Sequence, residues 1–289
     1  MSQPTPAALA DFLTKSLASP TAQPGGMSVM PTPMPTAGIM GMQKSGPPQP
    51  DRFILLAGAP FSGKTTACLS FPDPLLLSFD NKAPIADVDI IPFHDDAFVD
   101  SIQRRANPNN PANRKEAFKI WLENNILKCK GRTVILDSLT GLETAFHQQT
   151  FDVEKKWGVN GGLYFGDKLS YFQSCCALLS ASGGRVIINA HLVPIYVRDA
   201  ATGADVPTGK NKAALSGSMA EKIGAFCTSI IYAFVTPANS NMDGTLKFKW
   251  ALRPCPAFDA RTLATKIPPS GELDITKPAS AYEQFKACF

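Results

Sequence analysis

The pattern of apolar and polar residues changes near residue 50, and beyond that point two kinds of segment alternate. Continuous apolar runs predict buried strands at 53–58, 74–80, 88–93, 133–137, 185–191, 227–235 and 245–253. Apolar residues at helical spacing predict helices that begin near 63 and span 114–129, 138–157 and 164–182. Strands that are apolar throughout need cover on both faces. The alternation therefore predicts an α/β fold, with a mainly parallel sheet and helices on both faces.

Residues 1–50 differ from the rest of the chain, because they contain ten of its 25 prolines. Repeated prolines remove backbone N–H donors and fix φ, so no helix is expected through 19–50. We predict a flexible Pro- and Met-rich arm at 1–50, followed by one domain at 51–289. Within the arm, 6–17 has the spacing of a short amphipathic helix. Two interpretations of the arm stay open: a disordered tail, or a tether that docks on a partner or a neighbouring subunit.

Charge, cysteine content and the length of apolar runs argue against a disulfide-rich, a zinc-binding and a membrane-spanning protein. The 289 residues carry a net charge of +4, which permits nucleic acid as a partner without arguing for it. The 7 cysteines are scattered, with no Cys-x-x-Cys pair, which argues against a disulfide framework or a zinc site and favours a reducing compartment. No run approaches the roughly 20 apolar residues that span a bilayer. We therefore expect a cytoplasmic protein without a membrane partner.

The residues after the first predicted strand match the pattern G-x-x-x-x-G-K-S/T. They are Gly58, Ala59, Pro60, Phe61, Ser62, Gly63, Lys64 and Thr65, followed by Thr66. Such a loop between a strand and a helix aims backbone N–H groups at phosphate. Lys64 is then expected to reach the β- and γ-phosphates, Thr65 to bind Mg²⁺ through its hydroxyl, and Thr66 to support the α-phosphate side. The loop predicts ATP and Mg²⁺ as ligands; the alternative is a glycine-rich turn with a surface lysine.

An aspartate at the end of a second apolar strand is the expected partner of this loop. Asp137 closes the run 133–137, and carboxyl ends of parallel strands meet at one edge of the sheet. There the carboxylate can hold Mg²⁺ through water, which makes Asp137 both a metal and a catalytic candidate. The alternative is a helix cap, and the two roles are compatible if Ser138 is the capping residue.

Two further strand ends supply weaker catalytic candidates. His191 follows the strand 185–191 and is a candidate to contact the γ-phosphate and report its loss to the next segment. A structural histidine is the alternative, and Asn189 is the weaker candidate for that contact. Asp80 closes the run 74–80 and is the candidate to orient the attacking water, with Glu143 as runner-up.

These motifs together resemble the RecA-like ATPase core, and more closely the phage nucleotide-binding proteins related to RecA recombinases that act in single-strand annealing. The resemblance covers about residues 52–270 and rests on GAPFSGKTT, LLLSFDNK, VILDSLT, VIINAHL and ALSGSMAEKIGAFCTSIIYAF. It implies a RecA-like P-loop core that hydrolyses ATP with Mg²⁺, slowly or under stimulation by DNA. It also implies a homo-oligomer, ring or filament, on single-stranded DNA in phage recombination or replication. A single-strand-binding protein is a candidate partner, and the host cytoplasm is the implied location.

The resemblance also implies DNA contacts and a contribution from a neighbouring subunit. Family members hold DNA with two loops, which here would lie near 151–163 and 197–214. The residues implied for DNA are Lys155, Lys156, Trp157, Arg198, Lys210 and Lys212. Solvated surface loops are the alternative for both segments. The basic residues implied for the neighbour's active site are Arg253, Arg261 and Lys266, although the compact Lys-x-Arg common in the family is absent there.

Three other functions would share the phosphate loop. A nucleoside or nucleotide kinase would need acceptor-binding arginines and a basic lid, and the sequence shows no compact Arg-rich lid. A non-catalytic assembly protein would use the nucleotide as a structural ligand. A helicase loader or motor subunit would differ mainly in its partners.

Overall fold

The structure, a computed structural model, describes residues 51–80, 87–106, 113–153, 161–215, 219–237 and 246–289. These residues belong to one compact unit, Gly46–Phe289. The predicted arm at 1–50 lies outside the described residues.

Nine strands of the described part of the chain form one sheet, and two more form a separate hairpin. The strands are β1 (Phe53–Gly58), β2 (Pro74–Ser78), β3 (Asp89–Pro92), β4 (Thr133–Asp137), β5 (Arg185–Ala190), β6 (Leu192–Arg198), β7 (Asp205–Ala213), β8 (Ser229–Pro237), β9 (Leu246–Ala251), β10 (Arg261–Thr262) and β11 (Glu272–Asp274). The sheet order is β11-β9-β8-β1-β5-β4-β2-β3, with β10 beside β8. All pairs from β8 through β3 are parallel, whereas β9, β10 and β11 pair antiparallel.

The helices of the described residues connect and cover these strands. They are α1 (Lys64–Cys68), α2 (Asp96–Ala106), α3 (Arg114–Asn125), α4 (Leu139–Val153), α5 (Gly161–Ala181), α6 (Met219–Gly224) and α7 (Ala281–Lys286), with 3-10 turns at Ile126–Cys129 and Pro278–Ser280. Within the described ranges, no helix has the length and apolar character to cross a membrane.

Alternate residues of the central strands enter two different hydrophobic cores. On β1, Phe53 and Leu55 face the core formed with α3, α4, α5 and α6, whereas Ile54 and Leu56 face the core formed with α1 and α7. Side chains alternate across a strand, so a run buried throughout needs cover on both faces. Each fully buried side chain of this size contributes about 1.5–3 kcal/mol. The predicted α/β class, a mainly parallel sheet with helices on both faces, is confirmed.

One segment that was expected to be a loop is an antiparallel hairpin. The range 197–214 was predicted as the second DNA loop, but it contains the end of β6 and all of β7. Asp199 explains the tight turn, because its carboxylate accepts hydrogen bonds from the backbone N–H groups of Ala201 and Thr202 at 2.7 and 3.3 Å. Gly203 follows at φ 67°, a left-handed conformation that suits glycine. The hairpin is thus specified by its turn, a signal that the sequence analysis missed.

Helix α2 was also missed. Its apolar face holds only Phe98, Val99 and Ile102 among many charged residues, which hid the helical period. The stronger signal is Asp95, whose carboxylate accepts a hydrogen bond from the N–H of Ala97 at 2.9 Å. The helix start was therefore visible in its cap rather than in its hydrophobic pattern.

Candidate functional site

A cavity of about 450 Å³ lies at the edge of the sheet where the parallel strands end. It is lined by Pro60, Phe61, Ser62, Gly63, Lys64, Thr65, Thr66, Asp80, Asp137, His191 and Phe248. Parallel pairing of β1, β5, β4 and β2 explains the convergence, because their carboxyl ends share one edge. The structure thus brings together the candidates that the sequence placed at four separate strand ends.

The loop between β1 and α1 wraps around the Lys64 side chain. Its ammonium donates hydrogen bonds to the carbonyl oxygens of Gly58 and Ala59, both at 2.8 Å. A side chain at Gly58 would bring its Cβ within 2.5 Å of the Ala233 carbonyl oxygen, so glycine is required there. Gly63 has φ 74°, the left-handed conformation that glycine adopts without strain. Backbone geometry therefore explains why both positions of the motif are glycine.

Thr65 and Asp137 lie side by side in the cavity lining. The Thr65 hydroxyl donates to Oδ2 of Asp137 at 2.8 Å, and the Asn189 amide donates to Oδ1 at 3.2 Å. A hydroxyl beside a carboxylate supplies the hard oxygen atoms that Mg²⁺ prefers. Groups of three or more His, Cys, Asp or Glu side chains able to hold a metal are absent from the described residues. The pair therefore fits a cation that takes its remaining ligands from phosphate and water.

The alternative role of the second motif, a helix cap, belongs to the neighbouring serine. Ser138 Oγ accepts a hydrogen bond from the N–H of Gly141 at 3.0 Å, at the start of α4. The peptide bond between Asp137 and Ser138 is cis. Asp137 itself is 2% exposed and accepts a hydrogen bond from Thr65, so the capping contact belongs to Ser138 and Asp137 stays a candidate for the cation.

His191 and Asp80 line the cavity beside Asp137, whereas Glu143 does not. His191 is fixed through its backbone: its N–H donates to Thr140 Oγ1 at 3.1 Å, and its carbonyl accepts from Ala214 at 2.7 Å. Glu143, the runner-up for orienting water, forms a buried ion pair with Lys168 at 2.7 Å. This geometry assigns Glu143 to the packing between α4 and α5 rather than to the cavity.

Asn189, considered for contact with the γ-phosphate, lies inside the protein instead. Its side chain is fully buried, donates to Asp137 and accepts a hydrogen bond from the Cys68 thiol at 3.5 Å. Asn189 lies within β5 and contacts Asp137, whereas His191 follows the end of the strand, so only the histidine lines the cavity.

The residues considered for DNA lie on the hairpin or outside the described residues. Lys155, Lys156 and Trp157 fall in 154–160, which the structure does not describe. Arg198 ends β6 and donates to the Gly203 carbonyl at 3.1 Å, and Lys210 on β7 pairs with Asp259 at 2.8 Å. Lys212, also on β7, is half-buried. Tyr196 on β6 is 55% exposed on the same hairpin and was not considered from the sequence.

The residues considered for a neighbour's site do not line this chain's own cavity. Arg253 is exposed, and its stem lies beside the turn at Gly271. Arg261 donates to the Gly224 carbonyl at 2.8 Å. Lys266 is exposed, and its backbone N–H bonds to the Cys288 carbonyl at 2.8 Å.

The comparison with protein families decides the class of this site. The profile of the AAA domain family AAA_24 matches residues 51–262, which contain the loop, Asp80, Asp137 and His191. The chain belongs to this AAA domain family. The prediction of a nucleotide-binding P-loop ATPase is thereby confirmed at the level of the class. None of the curated proteins compared with the chain matches it.

Two solved structures are similar to the chain at low identity. The RadB recombinase is 14% identical over 72% of this chain and 90% of its own, with a TM-score of 0.34. The KaiC-like protein PH0186 from the hyperthermophilic archaeon Pyrococcus horikoshii OT3 is 14% identical over 76% of this chain and 88% of its own, also with a TM-score of 0.34.

Proposed function

We propose that this AAA domain protein is a Mg²⁺-dependent ATPase that acts on single-stranded DNA as a ring or filament, in phage recombination or replication. The observation that carries the enzymatic part is the cavity itself. Lys64 lies inside the loop that leads from β1, and the Thr65–Asp137 pair, 2.8 Å apart, lies beside it. A cationic group and a carboxylate–hydroxyl pair in one cavity suit a triphosphate with its cation.

Four of the lining residues have tasks in the proposed hydrolysis. Lys64 exchanges the Gly58 and Ala59 carbonyl oxygens for the β- and γ-phosphates. Thr65 and Asp137 hold Mg²⁺, which neutralises phosphate charge when it is bound. Asp80 orients the attacking water, because it is a further carboxylate lining the cavity.

His191 is proposed to couple the nucleotide to DNA. It lines the cavity and directly precedes β6, and the Ala214 N–H that follows β7 bonds to its carbonyl at 2.7 Å. Both ends of the hairpin are therefore attached at His191, so a contact between this residue and the γ-phosphate would act on the hairpin. Arg198, Lys210 and Lys212 on the hairpin would contact the DNA backbone, and Tyr196 would stack on a base.

The remaining parts of the proposal rest on the family resemblance alone. They are the host cytoplasm, a single-strand-binding protein as partner, DNA contact by Lys155, Lys156 and Trp157, and completion of the site by Arg253, Arg261 or Lys266 of a neighbouring copy. The exposure of Arg253 and Lys266 is compatible with that last role.

The test measures ATP hydrolysis and particle size with and without single-stranded DNA. We expect Mg²⁺-dependent hydrolysis that DNA stimulates, together with a larger particle when ATP and DNA are both present. Lys64→Ala should abolish hydrolysis and weaken ATP binding roughly 10- to 100-fold, because a charged hydrogen-bond partner of the phosphates is lost. Hydrolysis that is indifferent to DNA, or phosphate transfer to a nucleoside in a panel, would contradict the DNA role.

A further inference from the structure

The carboxylates and Phe248 lie on opposite sides of the cavity, and the order of the strands explains the division. Lys64 and Thr65 follow β1, the central strand of this edge. Asp137 ends β4, which lies beyond β5 on one side of β1, and Asp80 follows the next strand, β2. Phe248 stands on β9, which lies beyond β8 on the other side. The groups suited to the terminal phosphates and cation therefore lie on one side, opposite an aromatic ring.

Phe248 reaches the cavity because β8 and β9 extend past the end of β1. Gly58, the last residue of β1, pairs with Ala233, whereas Phe248 pairs with Val235, two residues farther along β8. The ring passes close to the loop: its Cδ1 lies 3.0 Å from the position that a Cβ on Gly63 would occupy. Phe248 is half-buried, so part of its ring remains accessible.

The direction of a bound nucleotide follows from this arrangement. If Lys64 takes the β- and γ-phosphates and the Thr65–Asp137 pair takes the cation, the terminal phosphates occupy the side of β4. The nucleoside must then leave the loop in the opposite direction, towards β9. We propose that Phe248 stacks on the base of the nucleotide and so anchors the nucleoside half of the ligand. This inference rests on the proposed nucleotide site and adds a binding contact to it.

A purely structural role for Phe248 makes a different prediction. A ring that only supports the backbone at Gly63 would stabilise the phosphate loop, and its loss would weaken every ligand that the loop binds. A ring that stacks on the base would matter only for ligands that have a base. Inorganic tripolyphosphate with Mg²⁺ has the phosphates of ATP without its nucleoside, so it separates the two roles.

The experiment compares Mg·ATP with Mg·tripolyphosphate binding by calorimetry, for the full chain and four variants. Phe248→Ala should weaken ATP binding roughly 5- to 150-fold, the range for base–aromatic stacking, and leave tripolyphosphate binding unchanged. Phe248→Leu, which keeps an apolar side chain if the alanine variant folds poorly, should show the same selectivity. Phe248→Trp should retain ATP binding. Leu246→Ala, on the same face of β9 but outside the cavity lining, is the matched control.

Each outcome decides between the roles. Loss of ATP affinity with unchanged tripolyphosphate affinity supports stacking. Equal losses for both ligands would show that Phe248 only supports the loop, and no loss for either ligand would remove it from the site; both results overturn the inference. If the unmodified chain binds neither ligand, the nucleotide site itself is wrong, which is a distinct failure.

Discussion

The carboxylate of Asp137 is held from two sides. Oδ2 accepts the Thr65 hydroxyl at 2.8 Å and Oδ1 accepts the Asn189 amide at 3.2 Å. The Cys68 thiol donates to the amide oxygen of Asn189 at 3.5 Å, and this contact turns the NH₂ group towards Asp137. Asn189 is therefore a positioning residue, since it orients a proposed cation ligand without lining the cavity itself.

Removing this amide should loosen the cation site while leaving the phosphate loop intact. In Asn189→Ala we expect the Mg²⁺ concentration for half-maximal hydrolysis to rise about 10- to 100-fold, the usual cost of losing an outer partner of a metal ligand. ATP binding measured in EDTA should not change. The measurement is a Mg²⁺ titration of the ATPase rate.

Cys68→Ser is the matched control for that titration, because serine keeps a donor to the Asn189 oxygen. It should retain the Mg²⁺ dependence of the unmodified chain. A lower melting temperature of Asn189→Ala with an unchanged Mg²⁺ requirement would mean that Asn189 only fills space.

At the scale of elements, the β6–β7 hairpin extends from the cavity with most of its residues exposed. One basic residue on it already forms an ion pair: Lys210 pairs with Asp259 at 2.8 Å, with side chains that are 46% and 68% exposed. Such an exposed pair stabilises the fold by about 0–1 kcal/mol, so DNA phosphate can compete for the lysine. Removing Lys210 and removing Asp259 should therefore change the affinity for DNA in opposite directions.

Replacing Lys210 and Lys212 with Ala should weaken single-stranded DNA binding. Two lost phosphate contacts should also reduce the slope of log K against log salt by about 1.4, at roughly 0.7 per contact. Asp259→Ala should do the opposite and strengthen binding, because it frees Lys210. Fluorescence anisotropy with labelled DNA across a salt series measures both quantities. An unchanged slope in the double variant, or weaker binding by Asp259→Ala, would remove the hairpin from the DNA site.

Helix α5 carries two buried thiols whose ionisation is coupled to folding. Burial raises the pKa of Cys175 to about 12 and that of Cys176 also to about 12, from an ordinary value of 9.0. An acid with a raised folded pKa stabilises the fold fully below its unfolded pKa and loses that contribution as pH rises. Each thiol should therefore lower the free energy of unfolding by about 1.4 kcal/mol per pH unit between about pH 9 and 12.

Urea unfolding at several pH values measures this slope. The double variant Cys175→Ala, Cys176→Ala should be less stable at pH 8 but lose less stability between pH 9 and 11 than the unmodified chain. Cys255→Ala, at a half-exposed thiol, is the control and should keep the original slope. Parallel pH curves for the double variant and the unmodified chain would contradict the linkage.

The elements that sequence patterns predicted are those whose signal is local. Strands β1, β4 and β5 appear as uninterrupted apolar runs, and the Gly58–Thr65 loop follows β1 directly. Phe248 could not be assigned in this way, because its place in the cavity depends on the antiparallel pairing of β9 with β8 beyond the end of β1. The contact between the Asn189 amide and Asp137 likewise depends on the pairing of β5 with β4. Long-range strand order, rather than local pattern, thus decides which residues join the site.

At the scale of the whole molecule, the cavity lining contains one lysine and no arginine among the described residues. Transfer of a phosphoryl group often uses an arginine from a neighbouring subunit to stabilise the developing charge. Arg261 is held by the Gly224 carbonyl at 2.8 Å, whereas Arg253 is exposed beside Gly271. Arg253 is therefore the better candidate to act on the cavity of an adjacent copy.

Mixing two inactive variants tests this assembly directly. Lys64→Ala removes a phosphate ligand but keeps Arg253, whereas Arg253→Ala keeps the phosphate loop but lacks the arginine. If Arg253 acts across a subunit boundary, a mixed assembly contains sites with both residues, so the ATPase rate of an equimolar mixture should exceed the mean of the separate rates. Up to about a quarter of the unmodified rate is expected, because random mixing pairs an intact loop with a neighbouring arginine in one interface of four. A mixture no more active than its components would place Arg253 outside the neighbour's site. Mixing Lys64→Ala with Lys266→Ala or with Arg261→Ala would then show whether another basic residue takes that role.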